Sequence, residues 1–228
     1  MKILKDLFLL FYPEICANCN EQLLQNEIVI CTFCRHDLPL TNFESYRDNK
    51  VSKIFYGRIT IEKAYSLLFF RKEGITKNLI HELKYKRNEE IGSFFGNWLG
   101  EMLAKNKEFA TVDYLVAVPI HPKKKKIRGY NQVTKFGKCL SKHLKIPFSE
   151  EILIRKSSTK TQTLKARFER FNDLETKFSL TDTTVFKDKH VLIIDDVITT
   201  GATLEACAME LLKTSGIKIS ILTMAYTE

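Results

Sequence analysis

Residues 191–212 read VLIIDDVITTGATLEACAMELL: an apolar run ends on the adjacent acids Asp195 and Asp196, passes through Thr199, Thr200, Gly201, Ala202 and Thr203, and turns helical. Backbone N–H groups at a helix N-terminus, with threonine hydroxyls beside them and a glycine that permits close approach, suit a terminal phosphate. Two carboxylates do not bind phosphate. They accept hydrogen bonds from vicinal hydroxyls or contact a metal ion, and a sugar phosphate with free ribose hydroxyls offers the first of these. Asp195 and Asp196 are therefore the candidate catalytic and diol-binding acids, and residues 199–203 the candidate phosphate cradle. An ordinary strand-to-helix turn without such a ligand is the alternative.

A second constellation stands near the start of the chain. Cys16, Cys19, Cys31 and Cys34 form two CxxC pairs with eleven residues between them. Each pair can make a tight knuckle, and four thiolates complete a tetrahedron, the pattern of a closed structural zinc site. Two disulfides or a redox CxxC fit less well, without a secretory signal or a strand-CxxC-helix context. His36 is read as surface, and Cys139 and Cys207 as small residues on or beside apolar helical stripes.

These groups need a scaffold. The chain has 228 residues, 44% hydrophobic and 28% charged, enough for one globular domain plus a small appendage. No apolar stretch reaches the roughly 20 residues of a membrane helix, so no transmembrane segment, no secretion and a cytoplasmic location are expected. The net charge of +9 biases the surface toward phosphates, nucleic acid or anionic lipid, although a plain solvated surface explains it equally.

Residues 59–71 alternate and are rich in β-branched and aromatic types, which predicts a strand or hairpin. Two helical stripes follow, Ile75, Leu79 and Leu83, then Ile91, Phe94, Phe95, Trp98, Leu99 and Met102, with a break at residues 84–90. After residue 107 the short apolar runs 114–120, 190–196 and 217–225 alternate with helices at 132–144 and 203–213. Runs of that kind are buried on both faces of a parallel sheet. The layout is α/β with a mostly parallel sheet flanked by helices. Ligands of such sheets bind at the carboxyl ends of the strands, where residues 195–203 fall. Ile3, Leu4, Leu7, Phe8 and Phe11 predict a short amphipathic helix. The expected division is a helix and four-cysteine module over 1–41, a polar linker over 42–53, and the α/β domain over 54–228.

The stretch VLIIDDVITTGATL resembles the phosphoribosyl pyrophosphate loop of type I phosphoribosyltransferases. VPIHPKKKKIRGYNQ (118–132), TQTLKARFERF (161–171) and the paired CxxC knuckles are together similar to the ComF competence-protein family, a type I phosphoribosyltransferase-like fold with an N-terminal zinc-binding module. The resemblance implies that Asp195 and Asp196 hold ribose hydroxyls, that residues 199–203 cradle the 5′-phosphate, and that residues 119–126 replace the pyrophosphate loop. Related enzymes hold that loop with a strained cis peptide. His121 either contacts pyrophosphate or caps a helix, and Arg128 either grips a phosphate within RGYNQ or lies in solvent. Residues 155–170 carry six bases against one acid, Glu169, where related enzymes have a mobile lid. Asp173, preceded by Asn172, stands where the family pattern has asparagine.

Two readings of function follow. Family membership implies a competence factor that handles imported single-stranded DNA in natural transformation, with other DNA-uptake proteins as partners and a site for phosphoribosyl pyrophosphate or nucleotide. Lys84, Lys86, Arg87, Lys123, Lys124, Lys125, Lys126, Arg128 and the six lid bases Arg155, Lys156, Lys160, Lys165, Arg167 and Arg170 would supply a phosphate track, and Tyr130, Phe168 and Phe171 stacking faces, with scattered solvated side chains as the plain alternative for each. The other reading is an active transferase that displaces pyrophosphate from an activated ribose with Mg²⁺.

Overall fold

The computed structural model describes residues 12–155 and 178–228. The expected N-terminal helix, most of the expected lid, Gln162, Phe168, Arg170, Phe171 and Asp173 lie outside these residues.

Seven strands are described: β1 (Lys63–Phe70), β2 (Tyr114–Ala117), β3 (Phe148–Ser149), β4 (Leu153–Arg155), β5 (Phe178–Leu180), β6 (His190–Ile198) and β7 (Lys218–Thr227). Five form one sheet in the order β1-β7-β6-β2-β3, every neighbouring pair parallel, while β4 and β5 pair antiparallel apart from it. The helices are α1 (Thr32–His36), α2 (Lys50–Lys53), α3 (Ile75–Tyr85), α4 (Glu90–Ala104), α5 (Pro122–Arg128), α6 (Thr134–Leu144) and α7 (Ala202–Leu211).

Side chains alternate across a strand, so each strand feeds two cores. Leu192 and Ile194 of β6 pack with Leu79 and Leu83 of α3, Phe95 and Leu99 of α4 and Phe136 of α6. Val191 and Ile193 face the other way, onto Val51, Phe55, Leu204, Cys207 and Leu211. Both faces are covered, and the continuous apolar character of β6 and β7 follows from that. Helices α4 and α6 come close because α4 turns glycines toward its neighbour. A Cβ on Gly96 would sit 2.7 Å from the Phe136 carbonyl oxygen, so any side chain there forces the helices apart.

Two features differ from the sequence expectation. Residues 42–53 are not an open linker: Asn49 caps α2 by accepting from Val51 and Ser52, and Val51 is fully buried. The four-cysteine segment also shares the α3–α4 core, with Cys16, Ile30, Cys31, Cys34 and Leu38 in one cluster with Tyr65, Leu67 and Phe95. Arg35 lies 5.0 Å from the Trp98 ring, which adds a cation–π contact to that junction. Among the described residues no helix is long and apolar enough to cross a membrane.

Candidate functional site

β6 runs past the two acids to Ile198, so Asp195 and Asp196 belong to the strand and are not its exit. The reason is β7, which extends alongside and pairs Asp195 with Thr223 and Ile198 with Tyr226. Pairing with β2 stops at Ile194. Beyond that point the carboxylates serve the backbone: Asp195 Oδ1 accepts from the Asp196 N–H at 2.8 Å, and Asp196 Oδ1 from the Val197 N–H at 2.6 Å. Neighbouring strand residues point to opposite faces, and the acids accordingly meet different surroundings.

Asp196 is turned toward α3, where the Lys84 ammonium lies 3.0 Å from its Oδ2. That contact is an ion pair off the hydrogen-bonding direction, and the buried Oδ2 has no hydrogen-bond donor among the described residues. Asp195 lines a cleft of about 50 Å³ with Val197 and residues 198–204. Burial, then the Asp196 charge, push its pKa up to about 8. Asp195 thus keeps its proton at neutral pH and can donate as well as accept.

The loop itself is shaped by Gly201, which has φ +75° and precedes α7, a helix with no side-chain cap on its N-terminus. A Cβ at this position would lie 2.6 Å from Ile54 Cγ2. The left-handed backbone and the close approach both require glycine. The first turn of α7 therefore presents backbone N–H groups at the carboxyl edge of the sheet.

At the amino end of the fold, the sulfurs of Cys16, Cys19, Cys31 and Cys34 all lie within 4.8 Å of one another, and no described cysteine is in a disulfide. The Cys19–Cys31 separation is 3.7 Å. A tetrahedron with metal–sulfur bonds of about 2.3 Å has edges of about 3.8 Å, so the four thiols could hold a metal ion. Sulfur-directed donors support them: Cys31 N–H to Cys16, Cys34 N–H to Cys31, and the Asn18 amide to Cys34 at 3.2 Å. Asn78 of α3 in turn donates to Asn18 Oδ1, which ties this shell to the main domain. Burial resists ionisation of Cys16, but the N–H groups of Cys19, Cys31 and Asn18 outweigh it and lower the thiol to about 7. His36 is exposed and bonded to Asp37, away from the sulfurs.

Residues 134–227 match the phosphoribosyl transferase domain family. The DNA utilization protein YhgH of Escherichia coli is 32% identical over 147 residues, 63% of this chain and 63% of that protein, so the match spans less than two thirds of the relative's length. Competence protein F of Haemophilus influenzae is 34% identical over 105 residues, 46% of this chain and 45% of that protein. Competence protein ComFC of Streptococcus pneumoniae is 25% identical over 206 residues, 90% of this chain and 77% of the relative. These similarities, with the phosphoribosyl transferase domain match, support the ComF family resemblance read from the sequence.

The segment after β2 differs from the expected loop. Residues 122–128 are helix α5, capped by His121, whose Nδ1 accepts from the Lys123 N–H at 3.2 Å. The suspected cis peptide is absent; every described peptide bond is trans. Lys123, Lys124, Lys125 and Lys126 are exposed along α5. Arg128 is buried, donating to Gln132 Oε1 at 2.8 Å with its guanidinium 5.1 Å from the Tyr85 ring. The Tyr130 hydroxyl donates to the Leu83 carbonyl, and the Asn131 amide to the Val118 carbonyl. RGYNQ is therefore a corner that locks α5 onto α3 and β2, and Tyr130 is committed there and not free for stacking.

One residue near the site escaped the sequence reading. Arg58 Nη1 donates to the carbonyls of Ile54 and Thr200, at 3.1 and 3.0 Å, and Nη2 pairs with Glu205 in the first turn of α7. It fastens the loop from outside while Ile54 and Phe55 press on Gly201. The signal is slight: an arginine after a glycine, 142 residues from Thr200.

Proposed function

We propose that this ComF-like protein binds a phosphoribosyl pyrophosphate-type ligand at the β6–α7 loop and handles single-stranded DNA, on the cytoplasmic side, during DNA uptake. The observation that carries the reading is the loop: a helix N-terminus without a capping side chain at its left-handed N-cap Gly201, beside the protonated Asp195 that lines the same cleft. A 5′-phosphate would take the N–H groups and hydroxyls of residues 199–203. The ribose diol would lie against Asp195 and Asp196. Magnesium, when bound with the ligand, would neutralise pyrophosphate charge; Asp196, paired with Lys84, is the carboxylate that would exchange that partner for it. His121 and the exposed Lys123 and Lys124 lie at the carboxyl end of β2, suited to the pyrophosphate or to DNA phosphate. The relatives named for competence and DNA utilization support the cellular setting.

Gly201→Val tests the loop. A side chain in a left-handed backbone costs about 1–2 kcal/mol, and overpacking against Ile54 about 1–3 kcal/mol more. Calorimetric titration with phosphoribosyl pyrophosphate and magnesium is expected to show affinity down by about 100-fold, which is near 3 kcal/mol, with unchanged helical circular dichroism. Equal affinity in the two proteins would remove the loop as the ligand site.

The DNA arm rests on the lysine row of α5. Log affinity for single-stranded DNA should fall linearly with log salt, and reversal of the four lysines 123–126 to glutamate should reduce the slope by about 3, at about 0.7 per phosphate. A slope that does not change rejects α5 as the DNA contact.

A second reading, active transfer, has the phosphoribosyl transferase domain match and the complete acid-loop constellation in its favour. In it, a nucleophilic nitrogen of an acceptor forms a bond to the ribose anomeric carbon as the bond to pyrophosphate breaks. Pyrophosphate release in the presence of candidate bases distinguishes the two.

A further inference from the structure

The opposite edge of the sheet, where the strands begin, holds a second cavity of about 390 Å³. Small-molecule sites typically span roughly 300–1,000 Å³. Its floor is the start of β1, β6 and β7, with Lys63, His190 and Lys218 at those first positions.

Lys63 is the unusual member. Its side chain is 4% exposed, yet its described contacts are a hydrogen bond to the Glu108 carbonyl and the Phe109 ring 5.5 Å away, with no ion pair among them. A buried ammonium without a paired carboxylate is costly, and an anion within the cavity would offset that cost. Burial, with Arg47 nearby, lowers the Lys63 pKa although the Glu108 and Glu62 charges act against it.

The other walls sort by whether they are already committed. Glu108 lies 3.8 Å from Arg47, and Asp113 accepts from the His190 N–H and lies 3.9 Å from Lys189. Both His190 ring nitrogens are engaged, with the Thr111 and Ser220 hydroxyls. What remains are Lys107 and Lys218, without ion pairs among the described residues, and the acids Glu62 and Asp188. Lys107 and Lys218 without ion pairs, Lys63 bonded to a carbonyl only, and two carboxylates without a hydrogen bond or ion pair among the described residues suit a ligand with an anionic head and hydroxyl donors.

We propose that this basal cavity binds a small polyhydroxylated phosphate ester, its phosphate on Lys63, Lys107 and Lys218 and its hydroxyls on Glu62 and Asp188. The site is separate from the β6–α7 loop, and its case does not rest on that reading.

Amine acetylation followed by peptide mass spectrometry tests it, because the readout is local. Glycerol 3-phosphate at ten times its dissociation constant should slow acetylation of Lys107 and Lys218 by roughly tenfold. Lys142 and Lys145, exposed and outside either proposed site, serve as references. Inorganic phosphate should protect only at higher concentration, since it cannot use the two acids. Protection by phosphate at equal or lower concentration would overturn the ester assignment. Lys63→Met should abolish protection of both lysines; if that variant fails to fold, Glu62→Gln should raise the concentration of ester needed several-fold. Unchanged acetylation of Lys107 and Lys218 in the wild-type protein, with either compound, overturns the proposal outright.

Discussion

A strong chelator is expected to strip one zinc per chain and to destabilise the α3–α4 core together with the knuckles. The four thiols are arranged for a tetrahedral ion, and structural zinc sites contribute about 10–16 kcal/mol of apparent binding free energy in small peptides. Here the cost reaches further, because Cys16, Cys31 and Cys34 pack with Tyr65, Leu67 and Phe95 in one cluster. Asn18 bridges Cys34 to Asn78, and Arg35 covers Trp98. With the ion gone, the sulfurs have weak hydrogen bonds as their remaining constraint. A loss of about 5 kcal/mol would lower the melting temperature of a chain this size by roughly 10–20 °C. Cys16→Ser with Cys19→Ser should reproduce the drop without chelator. Elemental analysis that finds no zinc, or melting curves that coincide with and without chelator, would refute the assignment.

The parts legible in the sequence are those whose signal is local. Two CxxC pairs state their own chemistry, and DDVITTGAT combines acids, threonines and glycine in one short stretch. The parallel sheet was legible too, since β6 and β7 are apolar on both faces and lie between helical stripes. What the sequence could not display are couplings made across the fold. The Lys84–Asp196 pair joins residues 84 and 196, and Arg58 reaches Thr200 over a separation of 142. Neither has a period or a spacing. The polar composition of residues 42–53 hid an ordered turn, because Asn49 and Ser52 use their polarity to cap α2 while Val51 enters the core. RGYNQ misled for a related reason. Arginine, tyrosine and two amides are as able to satisfy backbone carbonyls and a neighbouring ring as to bind a ligand, and here the nearest partners are within the chain. The basal cavity was invisible because Lys63, Lys107, His190 and Lys218 come from four separate segments.

Asp195→Asn is expected to make the protein more stable and its loop less able to hold ligand. The Asp195 carboxyl is buried at the edge of the cleft, and burial followed by the Asp196 charge raise its pKa from 3.8 to about 8. The folded state thus favours the protonated form. Its contribution to stability is complete below the unfolded value near 3.8 and is lost as pH rises through about 8. A tenfold change in an acidity constant is worth about 1.4 kcal/mol, so wild type loses several kcal/mol across this window. Asparagine keeps a carbonyl for the Asp196 N–H and has no proton to lose. The melting temperature of Asp195→Asn should therefore exceed that of wild type by little at pH 4 and by increasing amounts up to pH 8, with a plateau above it. Binding should move the other way, since the carboxyl can serve a ribose hydroxyl either as acceptor or as donor, and the amide of the variant restricts it to one fixed geometry. Affinity for phosphoribosyl pyrophosphate with magnesium should fall by about 10- to 100-fold, in the range of one buried hydrogen bond lost with its partner left unpaired. A pH-independent difference in melting temperature would refute the raised pKa, and undiminished affinity would remove Asp195 from the diol site. The two outcomes are separable, because stability is measured without ligand. A carboxyl retained at a stability cost, at the end of a strand facing a cleft, is what a binding role requires and a packing role would not.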